Sequence, residues 1–160
     1  MSASTLPQAP PTAPRPKRRP FFVVSLVLLR VFAVLHVIFA IMQPITIGQY
    51  LSGSYGMLAQ HSIFGHLLSA ASFLLGVTAI MYAVAGGRVW IAAVAAPLWL
   101  VENVQVGMGY ARLLGVHVPL GVGLVTLAVV LAIGVFLPSA GRDRRPRAAR
   151  TATPEGSGTA

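Results

Sequence analysis

The chain has 160 residues, 56% of them hydrophobic and only 9% charged, with a mean hydropathy of +0.77. This excludes a water-soluble globular domain and predicts an integral membrane protein, since the apolar runs approach the ~18–20 residues that span a bilayer. The net charge of +9 does not argue for nucleic acid, because nine of the twelve basic residues fall in two tails, 15–19 and 142–150. Beside spanning helices such tails set orientation and meet anionic lipid. There is no cysteine. Disulfides, thiolate metal sites and covalently attached c-type heme are therefore excluded, and histidine is left as the strong metal ligand.

Residues 1–20 are rich in Pro, Ala and Ser, lack apolar periodicity and read as a disordered basic arm. Lys17, Arg18 and Arg19 resemble a signal-peptide n-region. Arg30 interrupts the following apolar run and no small-x-small cleavage site follows, so retention as an anchor is expected. The transmembrane domain, 21–138, divides into four spans at about 24–47, 58–84, 89–110 and 117–137, separated by loops carrying Gly53, Gly56, Gly86, Gly87 and Gly115. Residues 139–160 return to Arg, Pro, Gly and Thr and read as a second disordered basic tail. The expected fold is all-α: a transmembrane four-helix bundle running up-down-up-down. Arg88 shares a side with both tails and only Arg112 marks the other, so both termini are expected in the cytoplasm of a multi-pass plasma-membrane protein.

One hairpin is written twice. Gln43, Gly48, His61 and Gly65 in the first half are matched by Gln105, Gly109, His117 and Gly121 in the second, and each histidine opens a His-x-x-x-Gly motif. His61, Gly65, Ser69, Ser72 and Gly76 form one small-residue stripe on the second helix, and His117, Gly121, Leu124 and Ala128 nearly repeat it on the fourth. A glycine one turn below a histidine leaves room for a flat macrocycle against the backbone. It equally lets two helices pack closely with nothing between them. The repetition favours a ligand held by His61 and His117 from diagonal helices.

Deeper in the membrane, His36, His66 and Glu102 can meet in one layer, either as a second axial pair with a proton-relaying acid or as imidazoles hydrogen-bonded to Glu102, Asn103 or Ser69. Arg30 lies near the cytoplasmic end and can snorkel. Pro119 is expected in the first turn of the fourth helix, where its missing N–H costs nothing. Gln43 and Gln105 can bond a ligating imidazole, and Arg112, Tyr50 and Tyr110 can receive a ligand's acidic groups or serve as boundary residues.

From Arg30 to about Phe136, the order Arg, Gln-x4-Gly, His-x-x-x-Gly, Gln, His-x-x-x-Gly resembles a family of small four-helix membrane proteins of high-GC bacteria. Its layout is also similar to one four-helix half of heme A synthase, in which histidines on the second and fourth helices ligate a b-type heme near the outer face. The resemblance implies His61 and His117 as iron ligands, with Gly65, Gly121, Gln43, Gln105 and Arg112 around the cofactor. The chain departs from the synthase in having one half. It also lacks the acidic residue before the second-helix histidine, since Ala59 and Gln60 precede His61 and Leu58 occupies the nearby upstream turn. These departures point away from oxidative heme chemistry and leave heme b binding with electron transfer to a quinone or a respiratory membrane complex. The alternatives are a cofactor-free accessory or assembly subunit, or a small transporter using His36, His66 and Glu102. No catalytic residue is singled out.

Overall fold

The computed structural model describes residues 20–142 and 144. These form four α-helices, α1 Pro20–Leu51, α2 Met57–Val84, α3 Val89–Tyr110 and α4 Leu114–Phe136, with no strand among the described residues. All four are long and apolar enough to cross a membrane, so the protein is a multi-pass integral membrane protein. The 22 residues of α3 rise about 33 Å, close to the ~30 Å of bilayer hydrocarbon, and α1 at 32 residues overshoots it. In that solvent a spanning helix satisfies its backbone internally, which these Val-, Leu-, Ile- and Ala-rich runs permit.

Three helix ends close by the same device. The amide of Ser54 bonds Gln49 O, that of Gly87 bonds Tyr82 O and that of Leu113 bonds Met108 O, each reaching five residues back and capping a final turn. The motif places one residue in the left-handed region: Gly53 at φ 100°, Gly86 at φ 104° and Arg112 at φ 56°. Glycine takes that conformation freely, whereas arginine does so against the clash of its Cβ.

Helix α1 packs on α2 and α4, and α3 packs on the same two, so α1 faces α3 and α2 faces α4 across the centre of a four-helix bundle. The main core joins Phe22, Leu26, Leu29 and Ala33 of α1 to Leu75, Ala79 and Tyr82 of α2. Ile91, Ala95 and Leu98 of α3 and Leu131 and Val135 of α4 complete it. Small residues set the close approaches: a Cβ on Gly76 would lie 3.2 Å from the Ala96 Cα, and one on Gly134 would lie 2.8 Å from the Trp90 ring. Large apolar side chains such as Ile38, Ile63, Phe73, Leu100 and Val122 are exposed, forming the surface that lipid covers.

The observed limits differ from the sequence reading in ways that matter for the site. Helix α4 starts at Leu114, three residues before His117, so Pro119 sits in the second turn and not the first. The arm at 1–19 and residues 143 and 145–160 lie outside the described residues. Residues 139–142, assigned from sequence to a disordered tail, instead close over the end of the core. Tyr82 is fully buried and needs an acceptor, which Ala140 O supplies at 2.7 Å; Arg88 Nε donates to Ser139 O at 3.0 Å, and Arg144 N to Gly86 O at 2.8 Å. Arg30 likewise finds its partner inside the bundle, with Nε donating to Val135 O at 3.1 Å and the guanidinium 5.2 Å from the Phe136 ring centre.

Candidate functional site

His61 lies in the second turn of α2 and His117 in the first turn of α4. Their ring centres are 6.3 Å apart and their planes are inclined at 70°, so two imidazoles meet across the α2–α4 diagonal. Each ring is held by the neighbouring hairpin helix in the same way. His61 Nδ1 bonds Gln43 O at 3.2 Å, and His117 Nδ1 bonds Gln105 O at 2.9 Å. A carbonyl oxygen only accepts, so both Nδ1 atoms carry the proton and both Nε2 atoms keep a free lone pair. Neither Nε2 has a hydrogen-bond partner among the described residues. That is how a metal-ligating imidazole is ordinarily oriented, with a backbone carbonyl behind it.

Gln105 is used twice. Gln105 Nε2 donates to His117 O at 2.6 Å, so the side chain and the backbone carbonyl of one residue hold the backbone and the ring of the other. Gly121 makes this possible, since a Cβ there would lie 2.8 Å from Gln105 Nε2. Gly65 faces Gln43 in the matching place with more room, a Cβ meeting Gln43 Oε1 at 3.8 Å and Val106 at 3.9 Å. In this structure the two motif glycines therefore admit a glutamine side chain, and the stripe below Gly65 packs on α3 through Ser69 and Gly76. Gly109 lies directly against the His117 ring, where a Cβ would come within 2.9 Å of Cε1.

Of the deeper layer, two members meet. His36 Nε2 and Glu102 Oε1 are 2.6 Å apart, with the residues 1% and 2% exposed, and join the α1–α3 diagonal. His66 is not with them. It is exposed on α2 and bonds Tyr110 OH at 3.2 Å, and the same hydroxyl bonds Ser62 Oγ at 2.6 Å. The five-residue step from His61 turns His66 to another face of the helix. Asn103 Nδ2 donates to Ser69 Oγ at 2.9 Å and to Trp99 O at 2.7 Å, bridging α2 and α3. Arg112 is exposed in the α3–α4 loop; Tyr50 packs edge-on to Tyr55 with ring centres 5.9 Å apart.

Thr46 is the residue that sequence reasoning overlooked. Its hydroxyl donates to Met42 O at 2.8 Å and shares Gln43 O at 3.1 Å, with Oγ1 3.3 Å from His61 Nδ1. Its place one turn after Gln43, the repeat partner of Gln105, was the available signal. Among the described residues no group of three or more His, Asp or Glu converges to hold a metal ion. In comparisons with known proteins, no family model, no curated protein and no solved structure matches this chain.

Proposed function

We propose that this membrane protein binds one heme b through His61 Nε2 and His117 Nε2 and carries electrons within the bilayer. The observation behind this reading is the spacing and pinning of the two rings. Two metal–nitrogen bonds of about 2 Å, each with about 1 Å more to its ring centre, span about 6 Å, against the 6.3 Å found. The bound heme would supply a one-electron couple. The chain would supply the carbonyls of Gln43 and Gln105 that orient the ligands and Arg112 in the adjacent loop as a partner for acidic groups of the cofactor.

In this reading the helices run up-down-up-down as two repeated hairpins; the up-down order is supported by the core that the first halves of α1 and α3 share with the second halves of α2 and α4. Both termini face the cytoplasm of a bacterial plasma membrane, with the basic tails against anionic lipid and the histidine pair near the outer face. Electrons pass to a quinone or to a respiratory membrane complex. Reporter fusions at Gly53 and Gly115 are expected to read external; a cytoplasmic signal at both overturns this orientation.

A second reading, a cofactor-free accessory or assembly subunit, is favoured by one observation: the Gln105 amide fills the space before Gly121. Absorption spectroscopy of protein made with ample heme separates the two. The heme reading expects the sharp reduced-minus-oxidised bands of a low-spin, six-coordinate b heme, lost or turned high-spin in His61→Ala and His117→Ala but retained in His66→Ala, whose ring is exposed elsewhere on α2. A folded, colourless protein leaves the accessory-subunit reading.

A further inference from the structure

Among the described residues four buried side-chain atoms have no hydrogen-bond partner: His36 Nδ1, Gln43 Nε2, Glu102 Oε2 and Gln105 Oε1. Their arrangement is not scattered. His36 and Gln43 are seven residues apart on α1, two turns along one face, and Glu102 and Gln105 are three apart on α3, one turn along one face. These helices face each other across the bundle, and the His36–Glu102 bond shows that both faces point to its centre. The four atoms thus line the interior over roughly 5–10 Å of helix rise, between the buried His36–Glu102 pair and the His61–His117 pair.

An unpaired buried polar atom is costly in a protein interior, and four on facing surfaces call for a common partner. The chemistry of that partner follows from the atoms. Gln105 Nε2 is committed to His117 O, which fixes Oε1 as an acceptor, and Glu102 Oε2 is a second acceptor, whereas Gln43 Nε2 is a donor. A bare cation would oppose the amide N–H and an anion would oppose the carboxylate. Water donates and accepts at once and is the usual occupant of a buried polar site with several partners.

We infer that His36, Gln43, Glu102 and Gln105 hold a chain of water molecules inside the bundle, and that this chain carries a proton between bulk water at the histidine end and the His36–Glu102 pair. Were heme bound, an electron given to it by a reduced respiratory partner would be matched by a proton drawn along the chain from bulk water and held between His36 and Glu102, and that proton would return when the electron leaves, so the buried charge would change little. Other titratable groups on the packed helices are engaged elsewhere: Arg30 with Val135 O, His66 with Tyr110, Tyr82 with Ala140 O, and His61 and His117 with the glutamine carbonyls. The water chain stands on the four atoms alone; its coupling to electron transfer rests on the heme reading above.

The test uses full-length protein in lipid vesicles, and its first arm needs no heme. The infrared bands of the Glu102 carboxyl group, identified by their loss in Glu102→Gln, are expected to shift within minutes of transfer from H2O to D2O. Bands unchanged after hours overturn the water chain. In the second arm the heme midpoint potential is expected to fall with rising pH in the wild type, toward a limit of about 59 mV for each tenfold change in proton activity for a one-electron couple. Glu102→Gln, and His36→Gln as a second variant, keep the low-spin spectrum and lose most of that slope. An equal slope in wild type and both variants overturns the proton route. A protein with no low-spin heme overturns the coupling together with the heme reading, while the exchange arm still decides the water chain.

Discussion

The two ends of the bundle are built on opposite terms. At the end holding Phe22, Tyr82, Val135 and Ala140, these four residues are at most 1% exposed, the Tyr82 hydroxyl is bonded, and the chain after α4 folds back as a lid. At the end holding Gln43, His61, Gln105 and His117, rings are half-buried, both Nε2 atoms are unpartnered, and two glutamine side chains each keep an unpaired atom. Lipid tails are as apolar as leucine, so burial alone does not hold helices together in a membrane; close packing and satisfied polar groups do. The first end has both. The second lacks some of both; on the reading proposed above, that is stability given up for free ligand atoms.

Substitutions at four glycines and one arginine sharpen this contrast, in descending order of effect. Gly87→Val should be the most damaging. A Cβ there would lie 2.4 Å from the Tyr82 ring, and Tyr82 is fully buried, so a loss of about 3 kcal/mol is expected, visible as a lower Tm. Heme content per folded molecule should not change.

Gly109→Ala should do the reverse. Its Cβ would press the His117 ring at 2.9 Å, turning the ligand while the remote core stays intact. The expected outcome is loss of low-spin signal with a Tm reduced by no more than about 1 kcal/mol of stability. If Tm falls as far as in Gly87→Val, the two ends are not separable.

The pair Gly121→Ala and Gly65→Ala probes the repeat. The first displaces Gln105 Nε2 from its bond to His117 O and should cost about 1 kcal/mol and part of the heme loading. The second meets only ordinary contacts at 3.8 and 3.9 Å and should stay within about 0.5 kcal/mol of wild type. Equal effects in thermal melts would mean that the two halves of the site are used alike. Arg112→Gly closes the series because its effect has the opposite sign, a gain of up to about 1 kcal/mol from relieving the left-handed backbone at φ 56°, with lower heme loading if the guanidinium holds an acidic group of the cofactor.

Much of the fold was legible because a membrane simplifies the reading. Apolar runs of spanning length separated by glycines can only be helices, and α3 at Val89–Tyr110 was placed to the residue. The repeated Gln and His-x-x-x-Gly spacing pointed to His61 and His117, whose rings lie 6.3 Å apart, because matched spacings put the same residue types at similar depth. Tertiary structure alone decided how those residues are used. Sequence spacing gives no azimuth between helices, so it could not say that Gln43 and Gln105 bond the histidines through their backbone carbonyls, or that Gly121 makes room for Gln105. Nor could it choose His36 over His66 as the partner of Glu102, which required knowing that α1 and α3 face each other across the bundle. The fold-back of 139–142 was equally hidden, because its composition is that of a tail, and only the buried hydroxyl of Tyr82, far away in sequence, gives it a reason to order.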